Sequence, residues 1–290
     1  MTVTCTMFTA TTWTSTARCS APASMNVLAK AGLVAGLVLL VAVFGYGWHI
    51  RTVYAGYVAS TDSGDALFAR ETLERYGTQL VDELASHDVQ LAIVSRAGQT
   101  RDKLPDGVQF THSAFFRRTA DDGYDVYNLY HGEADRLTSS LVTDTPADFL
   151  RLLQERDAGI VIPTPEMQAR LHAFLETPEY RAVHQPTYSL ISNPLDLRYQ
   201  NCNEFMLYAL AAAIWETTDR AVLRDKLAET VTPTELHVSP VRRHFGPMID
   251  ERLLLDDHGE RIVTTTFGTL AELLEATGGL EARYVLAFEG

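Results

Sequence analysis

The sequence predicts an α+β fold, a small antiparallel sheet with flanking helices, and three observations predict it. Short apolar stretches of strand character cluster between residues 89 and 130. Two of them are joined by Asp121-Asp122-Gly123, a turn of hairpin type. Longer stretches with helical spacing lie before and after that cluster. The composition, 46% hydrophobic and 21% charged over 290 residues, is that of a globular chain.

The elements follow in order. Leu67, Leu73, Leu80 and Leu84 recur at roughly helical spacing, which predicts an amphipathic helix over 65–85 capped by Ser63 or Asp65. VQLAIVS (89–95) and VQFTHSAFFR (108–117) read as strands, and YDVYNLY (124–130) closes the hairpin. A short strand over 139–142 and a helix over 146–154, started by Thr145, come next. A strand over 159–162 leads to Pro163-Thr164-Pro165, where Thr164 can cap a helix over 165–175 with proline at its first position. Residues 176–199, with Pro178, Pro186 and Pro194, read as irregular. CNEFMLYALAAAIWET (202–217) is too apolar all round to be a surface helix. Beyond it the pattern gives a helix over 219–229, a strand over 261–267 and a short helix over 270–276, with Arg242, Arg243 and His244 as solvated surface.

Charge divides the chain. The formal charge is −13, yet the first acid is Asp62, so the remainder carries 21 basic against 37 acidic residues. That balance, without a basic stripe, argues against nucleic acid as a partner. Residues 31–48, AGLVAGLVLLVAVFGYGW, carry no charge and lie between Lys30 and Arg51. A basic start followed by such a run is the pattern of a signal peptide, and its length also suits an uncleaved membrane anchor. The expected organisation is an upstream extension (1–24) before Met25, a signal peptide or anchor (25–55) and a single α+β domain (56–290). The domain would be periplasmic, or anchored in the inner membrane facing the periplasm, with membrane contact through the apolar segment if it is retained.

Of three cysteines, Cys5 and Cys19 precede Met25, so an exported body keeps Cys202 alone. Cys202 is either a small buried hydrophobe or a reactive thiol. It stands where an irregular loop becomes the buried helix. There the helix dipole favours a thiolate, and first-turn N–H groups can bind an oxyanion. A base would be His112 on the 108–117 strand; in the bland reading it is a core histidine. Asn128 on the paired strand can orient its ring, with Tyr127 and His131 as neighbouring alternatives, because the sequence does not set the register. The nine histidines show no HxxEH spacing and no CxxC is present, so no metal is expected. GxSxG, P-loop and GxGxxG patterns are absent, and no cofactor is expected.

RYQNCNEFMLYALAAAIW with the preceding YSLISNPLDL resembles the signature of an exported bacterial family catalogued as a domain of unknown function. LAIVSRAG, FTHSAFF, SSLVTDTPADFL and AGIVIPTPEMQARLHAFL resemble its other blocks. More remotely, the order histidine strand, polar strand, cysteine helix resembles the circularly permuted NlpC-type papain-like superfamily. That resemblance implies a papain-like core with Cys202 as nucleophile on a central helix, His112 as base and Asn128 as orienting residue. Cys202 N–H, helped by Gln200 or Tyr199, would bind the oxyanion. The implied activity is a thiol hydrolase or acyltransferase acting on an amide, peptide, peptidoglycan stem-peptide or lipid acyl substrate. The alternative is a non-catalytic envelope protein that binds a partner or plays a structural part. Geometry separates the two: the enzyme needs Cys202 sulfur about 3–4 Å from a His112 ring nitrogen.

Overall fold

A computed structural model describes residues 66–289, together with 37–39 and 41. The chain divides into two compact units, Met1–His49 and Ile50–Gly290. In the first, the four described residues are helical and exposed. The remainder of the 31–48 run, the proposed start at Met25, the 1–24 extension and the caps Ser63 and Asp65 lie outside the described residues. Among the described residues no helix is long and apolar enough to cross a membrane.

The second unit is α+β, as expected. Six strands form one antiparallel sheet: β1 (Leu91–Arg96), β2 (His112–Arg118), β3 (Tyr124–His131), β4 (Ser139–Asp144), β5 (Asp157–Pro163) and β8 (Leu280–Ala287), in the order β4-β3-β2-β1-β5-β8. A two-stranded ribbon pairs β6 (Thr234–Leu236) with β7 (Ile262–Thr264). The helices are α1 (Arg70–Ser86), α2 (Pro146–Phe149), α3 (Pro165–Glu176), α4 (Cys202–Trp215), α5 (Arg220–Thr230), α6 (Pro240–Ile249) and α7 (Phe267–Ala276).

The sheet is covered on both sides, and alternation along the strands assigns each residue its side. Leu91, Ile93, Phe115, Leu129 and Val161 face a core built with α3, α4, α5 and α7. Ala92, Val94, Ala114, Phe116, Val126 and Ile160 face the other core, with α1 and Phe149. Double coverage explains why β1 is buried throughout and why its first four residues are all apolar instead of alternating. Helix α4 is buried from Cys202 to Ala213 and starts at Asn201, whose side chain accepts from Glu204 N–H at 2.9 Å.

Local chemistry sets several boundaries. Thr145 and Thr164 cap α2 and α3, each with proline at the first turn. The expected 146–154 helix is shorter and tightens into a 3₁₀ turn over Leu150–Leu152. Helix α1 starts at Arg70, not 65, because the chain is extended at Ala69, which makes no side-chain cap. The stretch read as irregular contains a 3₁₀ helix, Pro178–Val183. After α7, Gly278 takes φ +70°, a left-handed conformation that lets the chain reverse into β8.

Gly159 on interior strand β5 lies beneath the Phe110–Phe267 ring pair, whose centroids are 5.1 Å apart. A Cβ there would stand 2.5 Å from Phe110 Cε2 and 2.9 Å from Phe267 Cε2. Gly159→Ala should therefore lower unfolding stability by about 1–3 kcal/mol, read as a lower urea midpoint at unchanged slope. An unchanged midpoint would mean that the rings give way freely.

Candidate functional site

Cys202, the first residue of α4, is buried at 4% exposure. Its thiol points at the backbone carbonyl of Thr111, 3.7 Å away, with Asn203 Oδ1 at 4.0 Å. Around it is a cavity of about 30 Å³ lined by Val108, Phe110, Tyr188, Leu190 and the Thr264-Thr265-Thr266 run. That volume holds about one water. Burial pushes the thiol up to about 11, against the pull of the Arg96 cation and of nearby backbone amides, including those of Asn203 and Ser113.

His112 opens β2 and faces the opposite side of the sheet. It shares parity with Ala114 and Phe116, and its ring stacks on Tyr130 at 5.0 Å and leans on Phe149 at 5.6 Å. Asn128 is on the same side, and its Oδ1 lies 3.0 Å from His112 Nε2. The Asn128 amide nitrogen is surrounded by acceptors, Val126 O, Val142 O and Asp144 Oδ2, at 3.3–3.4 Å. Its oxygen must therefore face the histidine, so His112 carries its proton on Nε2. Nδ1 is left as a bare, buried acceptor without a partner. Burial, then the Arg96 cation, lower His112 to about 3, while the Asn128 bond raises it. The ring is neutral at physiological pH.

The structure thus brings His112 and Asn128 together and leaves Cys202 apart from them. No hydrogen bond joins Cys202 to His112; the sheet lies between the imidazole and the helix that bears the thiol. The other sequence candidates are engaged elsewhere. Gln200 is fully buried, its amide tying Gln185 N at 2.8 Å and Val183 O at 3.0 Å. The Tyr199 hydroxyl bonds the Asp256 carboxylate at 2.8 Å. Tyr127 packs edge-on against Tyr180 at 6.1 Å. His131 does share the helix side. Its Nδ1 meets Gly132 O at 2.9 Å and its Nε2 meets Arg252 Nη1 at 2.6 Å, so it is neutral, with Nε2 accepting from the arginine.

Two groups escaped the sequence reading. Arg96 is the cross-strand partner of His112, 1% exposed, and carries two buried N–H positions without a partner, Nε and Nη1. It lies 5.5 Å from the Phe149 ring centre. Tyr130 completes the cluster by bonding Asp144 Oδ2 at 2.8 Å. The signal for Arg96 was an arginine ending the largely apolar stretch LAIVS, which is costly to bury. Among the described residues no group of three or more potential ligands could hold a metal ion.

Comparison with curated proteins and with solved structures gives no match. Residues 83–274, 192 of the chain's 290, match the family model described as "Uncharacterized protein conserved in bacteria" (DUF2145), and the chain belongs to that family.

Proposed function

We propose that this chain is a non-catalytic binding protein of the bacterial cell envelope, with an inactive papain-like core. The observation that carries this reading is the placement of Cys202 and His112 on opposite sides of the sheet. A thiol nucleophile needs a base within hydrogen-bond reach, and the groups this thiol donates to are the Thr111 carbonyl and Asn203 Oδ1, not an imidazole. Burial disfavours the thiolate, and a ring lowered to about 3 is a weak base. The envelope location rests on the uncharged run 31–48 and the basic residues beside it. The acidic body suits a protein or surface partner better than nucleic acid.

One observation favours the thiol hydrolase or acyltransferase reading. Cys202 begins a 14-residue helix with amides directed at its sulfur. That reading requires the imidazole to reach the other side of β2, which alternation along a paired strand prevents.

Alkylation of Cys202, followed by peptide mass so that Cys5 and Cys19 do not interfere, separates the two. The expected inflection is near 11 and unchanged in His112→Ala. At pH 8.5 the thiolate should be scarcer than that of an ordinary thiol by about two orders of magnitude. An inflection well below about 8.5, lost in His112→Ala, would overturn the proposal and establish an activated pair.

A further inference from the structure

We infer that α6 is an interfacial helix that docks the body on an anionic lipid surface; this deepens the envelope reading and rests on it. From residue 66 onward six large apolar side chains are exposed, and three of them, Val241, Phe245 and Met248, belong to this one helix. Their spacing of four and then three residues puts them on one stripe. Their exposures are 39%, 45% and 75%, while Gly246 alone is buried in the helix. A helix with its apolar stripe turned to solvent has either a partner or a membrane against it.

Charge selects between these. Residues 236–249 hold no acid in a chain with 37 of them, and Arg242 and Arg243 stand in the middle of the run. Arg243 anchors the helix by donating to the carbonyls of Glu260 and Gly259. Arg242 lines a groove of about 550 Å³ beside the helix, whose walls hold Leu104, Ile191, Leu236 and Leu253 together with Asp102, Lys103 and Asp106. An apolar stripe with cations beside it matches the boundary between acyl chains and anionic headgroups. A second copy matches less well, because a two-fold contact through α6 would face four arginines against one another. The 31–48 run supplies the other requirement, a route by which the chain meets a bilayer.

The test uses the full chain in vesicles, with p-benzoylphenylalanine in place of Phe245 and, as control, in place of exposed Val285 on β8. Irradiation in vesicles of phosphatidylcholine with phosphatidylglycerol should give lipid adducts at 245 and few at 285. Adduct yield should fall about fivefold in pure phosphatidylcholine or with Arg242→Gln, and be retained with Arg242→Lys. Crosslinks at 245 to a second copy would overturn the proposal in favour of self-association. Absence of lipid adducts at 245, with the fold intact by circular dichroism, would overturn it outright. Its failure is distinguishable from that of the non-catalytic reading: a silent Cys202 thiol without lipid adducts removes only the docking surface, whereas an activated thiol removes the non-catalytic reading whatever the adducts.

Discussion

Arg252→Ala should destabilise the body by about 3–5 kcal/mol, because it leaves a buried carboxylate without its main partner. Arg252 is fully buried, and its guanidinium holds Asp250 through Nε at 3.2 Å and Nη2 at 3.0 Å. A third contact reaches His131 Nε2, and the Arg252 carbonyl accepts from Leu190 N at 2.9 Å. One side chain thus ties the loop after α6 to strand β3. Urea unfolding measures the effect, and a loss below about 1 kcal/mol would mean that water reaches Asp250. The pH dependence has a definite sign. Burial pushes the Asp250 carboxyl up, but the Arg252 hydrogen bonds and charge outweigh it and hold it low. A depressed folded-state carboxyl contributes stability above its unfolded value, 3.8, and loses it as pH falls further. That acid limb should flatten in the variant.

Glu204→Gln should act in the opposite direction and stabilise the protein at neutral pH. Glu204 is fully buried in the first turn of α4, and neither carboxylate oxygen makes a well-formed hydrogen bond, with only the Ser192 hydroxyl nearby to pull on it. Its nearest cation is Arg220, with Nη2 3.8 Å from Oε1. Burial raises this carboxyl well above 4.5, against the pull of Ser192 and Arg220. A raised carboxyl favours folding below its unfolded value. From about pH 4.5 upward it loses stability at up to about 1.4 kcal/mol per pH unit, until it ionises in the folded state. The glutamine variant lacks that loss. Stability curves of the two proteins from pH 4 to 8 should therefore diverge with rising pH. Parallel curves would show that Glu204 ionises freely where it stands.

Much of this architecture could be read from the chain, where a local rule was decisive. Thr164-Pro165 marked the start of α3, and the unbroken apolar run 205–213 marked a buried helix. Asp121-Asp122-Gly123 marked the β2–β3 turn, with Asp122 at φ 65°. What stayed hidden was the side of the sheet that each residue takes. In β2, Ala114 and Phe116 go one way and Phe115 the other; all are apolar, so no contrast told His112 which side it would face. That a polar residue of the neighbouring strand could meet His112 was legible, with Asn128, Tyr127 and His131 all open; the choice of Asn128 at 3.0 Å waited on the register. The separation of His112 from Cys202 was not legible, because it depends on parity. Strand β8 was also passed over: LEAR alternates and follows a glycine pair, but YVLA is apolar throughout, and the alternation shows fully only in burial. The exposed stripe of α6 was obscured by the basic residues within it.

The stacking of Phe288 on Tyr76, with ring centroids 4.8 Å apart, has a bearing on how this protein can be cut. It joins the residue after β8 to the middle of α1, and both lie outside the recognisable span of 83–274. Tyr284 hydroxyl to Glu83, at 2.9 Å, stitches the same two elements. A fragment excised at the family limits would lose most of α1 and all of β8. One broad apolar flank, with Val94, Phe116 and Ile160 in it, would meet water, and β5 would become a bare edge open to intermolecular pairing. The cooperative unit is thus wider than the span by which the family is recognised, and it takes in Leu73 at one end and Phe288 at the other.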